Sequence, residues 1–173
     1  SNNVETWRTR VVYNYAPGEI KSLQVEYPSD EKNSFTITGI TKDSFLLTPH
    51  DEKFRINSLY QQKYIKQYLG FYSSVFIESF NNNYSEKDSV MKTTPYCSIT
   101  ITENDNSINK VNLFYMPINK RSKSQFDEKG NDRTYDLDHY FASIHNGQDF
   151  VIVQYYVFGK ILRNYHDFFF KPS

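Results

Sequence analysis

Asp136-Leu137-Asp138-His139 is the most site-like cluster in the sequence. Two carboxylates and an imidazole within four residues are ligand types that a divalent cation takes. If Tyr140, Ala142 and Ile144 point inward on a strand, Asp136 and Asp138 share their parity and His139 faces the other way. On a straight strand the three then cannot meet at one ion. The carboxylates can instead accept hydrogen bonds from the preceding loop or pair with Arg133. Asp136 and Asp138 are therefore candidate ligand or metal contacts, with structural anchoring as the competing reading. Together with a distant carboxylate such as Glu78 they also suit acid–base hydrolysis, which needs carboxyl groups whose environments hold their pKa values apart.

Lys120-Arg121-Ser122-Lys123 is a compact basic run. Lys120, Arg121 and Lys123 are candidate contacts for an anion, a lipid head group or an acidic partner, against a solvated loop neutralised by Asp127 and Glu128. His50, His139, His145 and His166 form none of the spacings that zinc sites use. Cys97 lies in register with Ile99 and Ile101, so it reads as a core thiol rather than a nucleophile. GxSxG and phosphate-cradling glycine loops are absent. No catalytic residue, metal or cofactor is assigned on these grounds.

The elements that must position these residues follow from periodicity. Leu23, Val25 and Tyr27 alternate with polar neighbours, as do Cys97, Ile99 and Ile101, then Val111, Leu113 and Tyr115, then Tyr140, Ala142 and Ile144. This is the pattern of half-buried strands. Residues 34–40 and 44–48 add two short meander strands, and 74–80 is a short mixed segment that suits another. Asn146-Gly147 marks a hairpin turn. One main helix is expected near 57–69, capped by Asn57, with Tyr60, Tyr64, Ile65, Tyr68 and Leu69 on one face. Short helices are expected near 86–91 and 156–164. Residues 118–135 form the longest irregular stretch. No βαβ alternation is present, so the class is α+β with antiparallel sheets, in one domain spanning 1–173. Two halves, each a strand meander plus helix, are conceivable.

Composition excludes several classes. The 20 basic and 20 acidic residues cancel, which argues against a protein built mainly to hold nucleic acid. Aromatic residues make up 17% of the chain, enough bulk for a core, so general disorder is excluded. Only Ala16 and Ala142 supply alanine, which favours sheet over helix. No run is long enough to span a membrane. A chain opening on Ser1-Asn2-Asn3 is expected to be a processed product or an excised portion. Trp7 reads as a packing anchor. Tyr155-Tyr156 and Phe168-Phe169-Phe170 cannot all face one core, so some of this aromatic surface is expected to cover a partner or neighbouring domain.

Several stretches taken together resemble a known family. They are Trp7-Arg8, Glu19-Ile20 before Val25-x-Tyr27-Pro28, Ser34-Phe35, Tyr68-Leu69, Glu78, Pro95 before Ile99-x-Ile101, and Phe114-Tyr115-x-Pro117. Asp136-Leu137-Asp138 before Tyr140-Phe141-Ala142, then Asp149, Val153-Gln154 and Val157-Phe158, complete the set. The pattern resembles the C-terminal portion of Gram-negative gut-bacterial members of domain of unknown function 4340. The resemblance implies a periplasmic domain held to a membrane by an N-terminal anchor absent from this chain. It carries no catalytic residues, and it marks Asp136, Asp138 and Gln154 only as recurrent positions. The expected function is a non-catalytic envelope domain that binds another protein or a sister domain, with no nucleic-acid partner. A glycan- or small-ligand-binding module, suggested by the tyrosines, is the first alternative. A carboxylate-dependent hydrolase is the second.

Overall fold

The computed structural model describes residues 9–170. Trp7 and Arg8 lie outside the described residues. The period-two segments are strands, and three short strands join them, two of these from a split of the mixed 74–80 segment: β1 (Val11–Tyr13), β2 (Ile20–Glu26), β3 (Phe35–Thr41), β4 (Ser44–Pro49), β5 (Val75–Phe76), β6 (Ser79–Phe80), β7 (Cys97–Glu103), β8 (Ile108–Pro117), β9 (Tyr135–Ile144) and β10 (Asp149–Gln154). Eight of them form one antiparallel sheet in the order β4-β3-β2-β7-β8-β9-β10-β6, and β1 pairs with β5 beside it. The meanders β2–β3–β4 and β7–β8–β9–β10 thus share one sheet, joined where β2 pairs with β7. Class α+β follows, as the patterning predicts.

The sheet buries one face along its whole width. Leu23, Val25, Ile99, Ile101, Val111 and Leu113 have no exposed surface, and each such side chain contributes about 1.5–3 kcal/mol. Their alternating partners, Ser22, Gln24, Thr36, Thr38, Thr100 and Thr102, lie on the opposite face and are partly exposed. A second, smaller cluster of Phe114, Met116, Phe141 and Phe150 covers that face at the β8–β10 end, under Tyr84, Val90 and Met91. Cys97 belongs to the main core, and burial pushes its thiol well above the usual range, so it stays protonated.

Helix α1 (Gln62–Gly70) starts later than the 57–69 pattern predicts. Tyr60 forms a β-bridge with Phe169, and the Gln61 amide donates to the Phe168 carbonyl (2.8 Å). The C-terminal segment therefore holds the chain extended where Asn57 was expected to cap a helix. Ile65, Tyr68 and Leu69 are the face that α1 buries. The Gln62 side chain satisfies both backbone groups of Phe45 on edge strand β4, accepting from its N–H and donating to its carbonyl, at 2.9 Å each. This blunts an edge that otherwise invites strand pairing. Helix α2 (Lys87–Met91) sits where expected. The 156–164 helix is shorter than its pattern, a single turn α3 (Tyr155–Phe158). Phe158 and Ile161 are both buried, but by a turn rather than a continued helix. Of the aromatic tail, Phe168 and Phe169 are buried and Phe170 is exposed. No helix among the described residues is long and apolar enough to cross a membrane.

Two buried tyrosines make opposite predictions. The Tyr68 hydroxyl donates to the Ile161 carbonyl (2.7 Å) and bonds the Tyr72 hydroxyl (2.7 Å), tying α1 to the C-terminal segment. The Tyr13 hydroxyl is buried with no partner among the described residues. Tyr68→Phe is expected to cost about 1–3 kcal/mol, whereas Tyr13→Phe is expected to be neutral or to stabilise by about 1 kcal/mol. Urea unfolding measures both, and equal losses in the two variants contradict the assignment.

Candidate functional site

A break in strand register organises the acidic cluster. Across β8 and β9, Tyr115 pairs with Tyr140, but Pro117 pairs with Tyr135. Two steps along β8 thus match five along β9, so Asp136 to His139 lie opposite Met116 alone, a bulge of three extra residues. Pro117 has no N–H to continue a regular ladder. The Asp136 carboxylate takes over: Oδ1 accepts the Asp138 N–H (2.7 Å), and Oδ2 accepts the Ser122 hydroxyl (2.7 Å) from the irregular loop.

The bulge overturns the straight-strand parity argument. Asp136 is turned toward the side of His139, and its Oδ1 lies 3.1 Å from His139 Nδ1. His139 Nε2 reaches Glu78 at 3.2–3.3 Å, between β5 and β6, and Gln154 Nε2 donates to Glu78 Oε1 (3.1 Å) at the end of β10. Arg10 also donates to the Glu78 carbonyl. Ser122, Asp136, His139, Glu78 and Gln154 therefore form one chain of hydrogen bonds across the loop, β9, the β5–β6 segment and β10.

The sequence candidates separate around this chain. Lys120 and Arg121 line a cleft of about 820 Å³ with Asp136, Glu78 and Met116. Lys123 and Asp138 line a different one of about 370 Å³ with Gln154 and Tyr156. Asp136 and Asp138 meet only through the Asp138 backbone N–H. Arg133 donates its Nε to the Phe126 carbonyl (3.1 Å) and makes no pair with Asp136. Among the described residues, no group of three His, Cys, Asp or Glu side chains is placed to hold a metal. The order Ser–Asp–His–Glu also differs from a nucleophilic relay, because Ser122 donates to the carboxylate and lies off the imidazole that must take its proton. Chemically the arrangement is a tie between four elements.

Its electrostatics fit that role. Burial disfavours charge on Asp136, but the donors Ser122, the Asp138 N–H and His139 outweigh it and hold the carboxyl below its usual range. Partial burial likewise opposes a charged His139. The Asp136 hydrogen bond and the neighbouring Glu78 carboxylate overcome this and raise the imidazole above its ordinary 6.5.

Sequence reasoning missed a second constellation on the other side of the bulge. Tyr115 and Tyr140 face each other across β8 and β9, rings 6.2 Å apart. Tyr96 stacks on Tyr140 (5.6 Å, 6° between planes) and lies 4.7 Å from Tyr115. Tyr135 stacks on Tyr115 at 4.9 Å, and Tyr155 lies 6.4 Å from Tyr140. Tyr115, Tyr135 and Tyr155 are 45%, 46% and 50% exposed. None of the five hydroxyls makes a hydrogen bond among the described residues. A cleft of about 720 Å³ opens on one side of the row and one of about 800 Å³ on the other, with Tyr115 and Tyr135 lining both. The inward parity of Tyr115 and Tyr140 was the available signal, but their meeting with Tyr96, Tyr135 and Tyr155 depends on the bulge and on α3.

His145 serves the β9–β10 turn. Its Nδ1 lies 2.7 Å from Asp149 Oδ2, and His145, Asn146 and Gly147 all take positive φ. The Asn-Gly signal thus marks a hairpin with a four-residue loop, 145–148. Comparison with protein-family models, with curated proteins and with solved structures finds no match.

The tie predicts a pH dependence. His139 has a raised folded pKa, so its stabilisation is complete below about pH 6.5 and is lost as pH rises through the folded value. Asp136 has a lowered one, so its contribution is present above about pH 3.8 and fades as pH falls through the folded value. Unfolding midpoints measured across this range should decline on the alkaline side in the wild type, and the decline should shrink in His139→Gln. Parallel curves for the two proteins contradict the tie.

Proposed function

We propose that this chain is a non-catalytic binding domain of a bacterial cell envelope and that its working surface is the tyrosine row between the two clefts. One observation carries the reading: five rings linked in one cluster, three of them about half exposed, keep all five hydroxyls unengaged among the described residues. Buried tyrosine hydroxyls ordinarily find a partner, as those of Tyr27 and Tyr68 do. A cluster that holds its rings together and leaves its polar tips outward is suited to a ligand with apolar faces and polar edges. The polar chain through Asp136 and His139, by contrast, has its hydrogen-bonding capacity directed inward. This weighs against hydrolysis by Asp136, Asp138 and Glu78.

The resemblance to domain of unknown function 4340 supports a periplasmic location behind an N-terminal membrane anchor. A second reading, docking of a protein partner or sister domain, is favoured by the open sheet face. There Ile40, Leu46 and Ile108 are exposed at the margins of a threonine-rich surface, a composition suited to a flat protein contact.

The test adds a native envelope extract, split into polysaccharide and protein pools, to isotopically labelled protein. At least one pool should perturb the amide signals of residues 96, 115, 135 and 140 without any product forming. Tyr135→Ala should weaken that response at least about tenfold, the effect of truncating an aromatic anchor. Turnover of either pool, or shifts confined to the Thr36–Thr38 face, contradicts the reading.

A further inference from the structure

We infer that the tyrosine row takes a neutral glycan chain, an inference that rests on the binding reading above and names its ligand. The row runs Tyr135–Tyr115–Tyr96–Tyr140, with ring centroids 4.9, 4.7 and 5.6 Å apart. No phenylalanine stacks in it, although Phe114 reaches the edge of the first cleft from the cluster it forms with Phe141 and Phe150. Tyrosine in place of phenylalanine adds a hydroxyl at the edge of each apolar ring. A pyranose has the complementary form, with C–H groups on its faces and hydroxyls around its rim.

The walls of the two clefts sharpen the choice. The first is lined by Ser29, Asp30, Asn33, Thr94 and Asn164, which carry carboxylate, amide and hydroxyl groups and no cation. The second is lined by Asp127, Asp132, Asp136 and Arg133, three carboxylates to one guanidinium. Ser29, Thr94 and Asp132 make no side-chain hydrogen bond among the described residues. Net negative walls repel an anionic polymer. An ionised carboxylate only accepts hydrogen bonds, so it selects a ligand rich in donors. Sugar hydroxyls donate as well as accept. A proline-rich peptide, the other frequent occupant of aromatic grooves, presents carbonyl acceptors and lacks N–H donors at each proline. Burial raises the hydroxyl pKa of Tyr96, to about 12, and of Tyr115, so these phenols remain O–H donors near neutrality.

The experiment titrates the folded chain with neutral hexaoses of glucose, mannose and xylose, with a hexagalacturonate, and with a proline-rich dodecapeptide, by calorimetry and amide-shift mapping. At least one neutral hexaose should bind with shifts at residues 96, 115 and 135, and hexagalacturonate should bind more weakly. Tyr115→Ala and Tyr135→Ala should each lower affinity at least about tenfold, with Tyr156→Ala as an exposed control outside the row. Tyr135→Phe retains the ring and should lose less, which separates stacking from misfolding. Peptide binding at the row without hexaose binding overturns the glycan assignment and leaves the binding reading standing. Hexaose binding unaffected by both alanine variants overturns the assignment of the row. If no probe binds, the glycan inference is overturned, and the binding reading falls only if the envelope pools also leave the row unperturbed.

Discussion

The Asp136 carboxylate is the group on which the rest of the sheet's working end depends. A carboxylate removed from water is costly unless its lone pairs are satisfied. Here they are satisfied by a hydroxyl from the irregular loop, a backbone N–H two residues on, and an imidazole three residues on. Two of the donors come from parts of the chain that pairing with β8 leaves unconstrained, and the third, His139, is already in register with Gln154 on β10. The Asp138 N–H defines the bulge, Ser122 anchors the 118–134 loop, and His139 carries the connection to Glu78. Removing the carboxylate releases all three at once, whereas removing any single donor leaves two in place.

The same bulge positions the tyrosines. Three extra residues in β9 return Tyr135 to the sheet opposite Pro117, two residues from Tyr115, and the two rings stack. A straight ladder brings Asp138 to that position instead. One register break thus sends a polar network to one side and completes an aromatic row on the other. The two constellations share residues 135–140 and differ in where their hydrogen-bonding capacity points. That difference, more than the identity of any residue, separates a structural tie from a binding surface.

Much of this was legible in the sequence, and the parts that were not share a cause. The alternations at Leu23–Tyr27, Cys97–Ile101 and Val111–Tyr115 read directly because each strand has one buried face, and a slip of one residue moves the whole apolar set to solvent. The start of α1 was misplaced because Tyr60 is captured by Phe169, a contact no local window contains. The parity of Asp136 was misjudged for the same reason: Pro117 disturbs a neighbouring strand, and its effect is visible only once β8 and β9 are paired. Glu78 was named as a distant carboxylate for hydrolysis and Gln154 from the resemblance without a role, and the fold brings both to His139. The tyrosine row combines β8, β9 and α3 with the approach to β7, so its signal was distributed over residues that looked individually ordinary.

The location of the row explains its chemistry. Tyr140 and Tyr96 pack against the main core, while Tyr115, Tyr135 and Tyr155 stand where that core meets solvent. A side chain there must be apolar along its body and hydrated at its tip, which selects tyrosine over leucine or phenylalanine. The rings are held by one another and by the sheet, so a ligand that covers them has little side-chain freedom to freeze. Ordering a mobile side chain on binding costs about 0.5–1.5 kcal/mol. A row already fixed by the fold avoids most of that loss, and modest stacking then suffices for useful affinity. The constraint that stabilises this end of the sheet is therefore the one that would prepare the proposed surface to bind.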